Sequence, residues 1–233
     1  MAFTTDRHTL SSRDLAAMTG IPLPSVYRYV AFLRDSGLLI GDDRGGYHLS
    51  ARVIALARAA QAAESLIGVA DPVMRRLSSE TGETVLLVRL IARSAVCIHR
   101  IESAHRLRIS FEPGQPLGLD RGASARLLLA SMSPRERREQ ISSLARRDQA
   151  AARRLEREVE LTARRGWATS EEELDEGVWA PAAAVENRSG LVAVLSMPTP
   201  LVRAPVNARE ELLRRVRAAA DEIGRLLQAE PEV

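Results

Sequence analysis

Between Ser11 and Leu49 the apolar residues fall into two short helical stripes and then two short runs bounded by glycine. Leu15 and Met18 share one face of a first helix. Ser11-Ser12-Arg13-Asp14 opens it as a capping box, a hydroxyl with a carboxylate three residues on, and Gly20 closes it. Pro22 and Pro24 punctuate a turn and pre-set the first turn of a second helix. From Ser25, the positions Val26, Tyr29, Val30 and Leu33 repeat at i, i+3, i+4 and i+7, and Gly37 ends that helix. Its opposite face carries Arg28, Ala31 and Asp35, with Ser25 and Tyr27 on the flanks. Leu38–Ile40 and Tyr47–Leu49 predict two strands joined by the turn residues Gly41–Gly46. Helix, turn, helix and hairpin is the order of a winged helix-turn-helix, in which the second helix enters the major groove.

Residues 51–65, ARVIALARAAQAAES, predict a further helix, alanine supplying the propensity and Val53, Ile54, Leu56 and Ala57 the stripe. It reads either as a packing helix or as a linker helix that pairs with its two-fold mate. The hairpin before it and the new element after it mark a domain boundary and favour the linker. Pro72–Thr81 then reads as a helix closed by Gly82. Thr84–Ile91 is a near-continuous apolar run, the pattern of a strand buried on both faces. Ser94–Glu102 and Arg106–Phe111 alternate more, and Pro113-Gly114 turns the chain. Ala123–Ser131 is a short helix opening at Gly122, Pro134–Leu144 and Gln149–Arg165 are highly charged helices, Leu191–Met197 is a last central strand, and Asn207–Gln228 is an amphipathic helix. The predicted fold class is α+β, with a winged helix-turn-helix at residues 1–50, a linker and dimerisation helix at 51–66, and an α/β domain at 67–233.

Composition narrows the function classes. Of the 233 residues 45% are hydrophobic, which suits a globular chain. No apolar run reaches the ~18 residues a membrane helix needs, and the N-terminus lacks the layout of a signal peptide. The single Cys97 excludes an internal disulfide framework and fits a reducing cytoplasm. All 33 basic residues are arginine, a bias that by itself says nothing of nucleic acid, and residues 1–50 balance five Arg against five Asp. Cys97 and His99, two apart on a strand, point to the same face on this reading. They suggest a nucleophile and its base or, with His105, metal ligands. A half-buried strand explains them more simply, because no orienting third group or oxyanion site accompanies them.

Four stretches in order resemble the IclR-type bacterial transcription regulators. They are LSSRDLAAMTGIPLPSVYRYVAFLRDSGLLIGDDRGGYHLS, TGETVLLVRLIARSAVCIHRIES, PLGLDRGASARLLLA and SEEELDEGVWAPAAAVENRSGLVAVLSMPTPLVR. The resemblance implies a winged helix-turn-helix, a connecting helix and a GAF-like α/β effector-binding domain. It implies double-stranded operator DNA and a small organic acid or aromatic effector as partners, homodimers or dimers of dimers, and no cofactor, metal or catalysis. Ser25, Tyr27 and Arg28 would then meet base edges and phosphates, with Arg44 and His48 on the wing touching backbone. Gly122, Ala123 and Ser124 open a helix whose unpaired N–H groups suit a carboxylate, and the resemblance places the ligand there, facing a loop at Ser170-Glu171 and the strand end at Ser196. Three departures stand out. Only Met1–Thr9 precede the Leu10-Ser11 pair that opens into the capping box, so the first helix of the head reads as truncated. Leu23 and Pro24 replace a basic or hydroxyl pair before the recognition helix, and Pro198 replaces a polar residue near the ligand. The alternative is a small-molecule-binding or hydrolytic α/β protein with a degenerate head.

Overall fold

The Ser11 hydroxyl accepts the Asp14 N–H at 3.2 Å while the Asp14 carboxylate accepts the Ser11 N–H at 2.8 Å, the reciprocal pair expected of the capping box. The structure is a computed structural model that describes residues 2–4, 6–63 and 65–229. The chain divides into two compact units, Met1–Ser65 and Leu66–Val233.

In the first unit β1 (Leu10–Ser11) leads into α1 (Ser12–Thr19), then α2 (Leu23–Asp35), the hairpin β2 (Leu39–Gly41) and β3 (Gly46–Leu49), and α3 (Arg52–Ala63). The three strands form an antiparallel sheet in the order β1-β3-β2. Leu10, Leu15, Val26, Val30 and Leu39 make the core. Two residues of the predicted stripes leave it. Met18 is 41% exposed in the last turn of an eight-residue helix, and Tyr29 is 50% exposed. At ~100° per residue Tyr29 lies about 60° from Val26, on the rim of the buried arc, where the Arg28 guanidinium sits 5.6 Å from its ring. The segment predicted as one linker helix is α3, with a further helix starting at Ser65.

The second unit runs α4 (Ser65–Thr81), β4 (Val85–Ile91), β5 (Ser94–Ile101), β6 (Pro116–Leu117), α5 (Ala123–Ser131), α6 (Pro134–Ala145), α7 (Gln149–Arg165), β7 (Trp167–Glu171), β8 (Val178–Asn187), β9 (Gly190–Ser196), β10 (Thr199–Pro200), a 3-10 turn at Leu201–Arg203 and α8 (Val206–Ala229). α4 begins seven residues ahead of the predicted Pro72. That proline is exposed, and its missing N–H falls opposite the carbonyl of Gly68, where a ladder bond is lost to solvent rather than to the core.

Every strand pairing is antiparallel. β8 pairs with β7 along one edge and with β9 and then β10 along the other; β4, β5 and β6 follow β9. β4 is buried on both faces, as its apolar run predicts: Val85 and Leu87 join one core, Leu86 and Val88 another. The first core also holds Met74 of α4 and Ile223 of α8; the second is closed by Leu127 and Leu128 of α5. Behind α5, Leu129 packs on Leu155 and Val159 of α7. α8 lies directly on β8: a Cβ on Gly224 would come within 2.5 Å of the Glu186 carbonyl, so only glycine permits this approach.

Arg106–Phe111, predicted to alternate as a strand, is irregular. Arg100 ties it down instead, donating to the Ser110 hydroxyl at 2.7 Å and the Phe111 carbonyl at 3.1 Å. Conversely Ser170-Glu171, predicted as a loop, lies on strand β7. Its partner β8 carries the run Ala-Pro-Ala-Ala-Ala, which has little strand propensity.

Candidate functional site

In the head, α2 turns Tyr27, 53% exposed, and Arg28 to solvent, with Ser25 half-buried beside them. Among the described residues Arg28 pairs with no carboxylate, so its charge is available to an anion. The β2–β3 turn is built on Asp42, whose carboxylate accepts the N–H groups of Arg44 at 2.9 Å and Gly46 at 2.7 Å. That turn leaves the Arg44 side chain exposed at the hairpin tip, while His48 is half-buried on β3 opposite Ile40.

In the second unit Gly122, Ala123, Ser124, Ser170 and Ser196 do converge. They line one cavity together with Pro198; its apolar walls run from Leu86 and Val88 to Phe111, and the charged residues Arg121, Glu173 and Asp175 line it as well. Ala123 is 2% exposed at the first turn of α5, and the Ser196 hydroxyl donates to the Pro181 carbonyl at 3.1 Å. Ser170 is 7% exposed and its hydroxyl has no hydrogen-bond partner among the described residues. Glu171 does not join them. On a strand successive side chains point to opposite faces, and Glu171 turns away from the cavity to a bidentate pair with Arg209 of α8 at 2.7 and 2.9 Å. The hydrogen bonds from Arg209 hold its carboxyl below the usual range, and the same guanidinium stacks 5.5 Å from the Trp179 ring.

Two residues that pattern reading missed organise this site. Glu173 accepts the Gly122 N–H at 2.8 Å with one oxygen and pairs with the Arg126 guanidinium through the other. Arg126, 5% exposed, also donates to Glu158 at 2.7 Å and to the Thr169 carbonyl at 2.9 Å. The signal was present in the sequence: a lone charge inside the apolar helix ASARLLLA cannot be buried without partners.

A family model described as bacterial transcriptional regulator IclR C-terminal matches residues 59–225, and one described as IclR helix-turn-helix domain matches residues 1–43. The chain belongs to the IclR family. Its relatives include the HTH-type transcriptional regulator KipR of Bacillus subtilis, 28% identical over 191 residues that cover 79% of this chain and 76% of that protein. The crystal structure of an IclR-family transcriptional regulator from Brucella abortus superposes with a TM-score of 0.84 at 22% identity, covering 97% of this chain and 88% of the other. That of an IclR homologue from Microbacterium hydrocarbonoxydans, complexed with 4-hydroxybenzoate, gives 0.74 at 22% identity over 98% and 95%. At those identities the two structures speak to the fold alone. This IclR-family chain is a transcription regulator with a helix-turn-helix head and a C-terminal effector-binding domain.

In this regulator Cys97 and His99 do not share a face. A β-bulge shifts the β4–β5 register so that Leu87 faces His99 and Val88 faces Cys97. The extra residue breaks the alternation. Cys97 enters the core beneath α5, whereas the His99 ring meets Asp71 of α4 at 2.8 Å. Burial pushes the Cys97 thiol up to about 11, far from a thiolate nucleophile at neutral pH. His105 lies elsewhere, its ring against Gly82.

Proposed function

We propose that the head reads a two-fold operator with α2 in the major groove, Ser25, Tyr27 and Arg28 at base edges and phosphates, and Arg44 and His48 of the wing on the backbone. The α5 cavity takes a small organic acid or aromatic compound, its acid group at the first turn of the helix near Gly122, Ala123 and Ser124, and its body against the apolar wall. The protein works by binding rather than catalysis, as a homodimer or a dimer of dimers, and the effector changes its affinity for DNA. The observation that carries this reading is the convergence of small and hydroxyl residues from the start of α5, β7 and β9 on one largely apolar cavity at a helix N-terminus. The 4-hydroxybenzoate held by the Microbacterium homologue supports an aromatic acid as the ligand class.

The test is fluorescence anisotropy on the DNA upstream of the coding sequence, with and without carboxylates that raise the melting temperature in a thermal-shift screen. A ligand at 100 times its Kd adds ~2.7 kcal/mol. Arg28→Ala should weaken operator binding by about 1–3 kcal/mol if the guanidinium holds a base, or reduce the salt slope by about one if it holds a phosphate. Unchanged affinity and slope would remove Arg28 from the interface.

A further inference from the structure

The connection between β7 and β8 lies across the cavity. It spans Glu172–Gly177, and both ends are left-handed, with φ 53° at Glu172 and 73° at Gly177. Two hydrogen bonds pinch its base, Glu172 N–H to the Val178 carbonyl at 2.8 Å and Gly177 N–H to the Glu172 carboxylate at 2.9 Å. From this strap Glu173 reaches back to Gly122 N–H at 2.8 Å. Leu174 lies over the same residue, its Cδ1 3.1 Å from where a Cβ on Gly122 would stand, although Leu174 is 46% exposed. Beneath them the cavity measures ≈ 40 Å³, against the ~300–1,000 Å³ of ordinary ligand pockets. An aromatic acid fits only if the strap lifts.

We propose that Glu172–Gly177 is a lid, latched by Glu173 and plugged by Leu174, and that the ligand is a carboxylate which replaces Glu173 at the N-terminus of α5. This rests on the reading of the cavity as the effector site. Three features make the exchange favourable. One carboxylate replaces another at the same Gly122 N–H, so the charge at the helix terminus is conserved. Arg126 keeps Glu158 and the Thr169 carbonyl when Glu173 leaves, so no buried guanidinium is stranded. Ser170, nine-tenths buried and without a hydrogen-bond partner among the described residues, offers the incoming acid a donor that Glu173 does not use. The left-handed ends at Glu172 and Gly177 are where the backbone rotation is absorbed.

Hydrogen exchange by mass spectrometry on the full chain tests the lid without a ligand. Glu173→Gln should speed exchange at least ~10-fold in the segments holding Gly122 and residues 172–177 together, while β4 and β9 keep their protection. Leu174→Ala, which touches no ion pair, should do the same to a smaller degree. Unchanged exchange in both variants overturns the lid, as does uniform loosening that also takes in β4 and β9. Tryptophan fluorescence, with Trp179 two residues beyond Gly177, then follows titration with benzoate, phenylacetate and pyruvate. At least one should bind Glu173→Gln about 5-fold or more tightly than the parent, because the competing carboxylate has lost its charge. Equal or weaker binding overturns the exchange of carboxylates. Binding by neither protein, with the lid responding as expected, overturns the ligand class and the effector reading and upholds the lid. Equal binding by Ala123→Leu, whose side chain fills the cavity, overturns the effector reading and with it the exchange of carboxylates, and leaves the lid to stand on hydrogen exchange.

Discussion

At the scale of single residues the buried charges decide most. Glu83 is 3% exposed and held by a bidentate pair with Arg203. Arg203→Ala strands that carboxylate in the core and should cost ~3–5 kcal/mol, seen as a lower urea midpoint; a shift within error would show that Glu83 is solvated. Breaking a surface pair such as Arg135–Glu139 should leave the urea midpoint nearly unchanged. Cys97 is the opposite case, a nucleophilic residue type made inert by burial. At pH 8 it should react with iodoacetamide ~100-fold more slowly than a free thiol. A rate close to that of glutathione would mean that the bulge in β5 opens in solution.

At the scale of elements the capping boxes are the most local devices. In α1 and α6 a serine and a carboxylate three residues on satisfy each other's N–H groups. Hydrogen bonds from Ser11, the side chain first and then the N–H, hold the Asp14 carboxyl below its ordinary 3.8. A carboxyl lowered in the folded state stabilises it above the unfolded value and loses that contribution as pH falls through the folded one. Asp14→Asn should therefore be less stable than the parent at pH 6, and the gap should start to narrow only as pH falls below about 4. A gap that does not narrow at all as pH falls below about 4, followed by circular dichroism, would assign the effect to packing instead. Ser11→Ala should cost ~0.5–2 kcal/mol of stability in the same unit.

At the scale of the whole molecule the two units differ in what holds them. Among the described residues the head buries five hydrophobic side chains in one cluster, whereas the second unit carries three clusters, one of them with 16 buried residues. Small units bury a smaller fraction of their surface and are less stable. Residues 66–233 produced alone should therefore melt within ~2 °C of the upper transition of the full chain, with the head unfolding in a separate, lower transition. A single transition for the full chain, lost on separation, would show that the units stabilise each other.

Elements built from short-range rules were legible in the sequence. The capping box of α1, the glycine stops at Gly20 and Gly82, the turn of the wing and the strand Thr84–Ile91 all follow from neighbours within a few residues, because capping, turn dihedrals and periodicity are local. The effector-site candidates Gly122, Ala123, Ser124, Ser170 and Ser196 came from a resemblance that the family match supports, and they line one cavity. What the tertiary structure decided is long-range. β8 is a strand because β7 and β9 pair with both its edges, which outweighs the low propensity of its alanines. The bulge in β5 sends Cys97 and His99 into different layers, an outcome that depends on register with β4 and not on spacing. Arg126, Glu158 and Glu173 meet across α5, α7 and the β7–β8 strap, and the sequence required such partners for a buried arginine without naming them, because packing brings them together over separations of 32 and 47 residues.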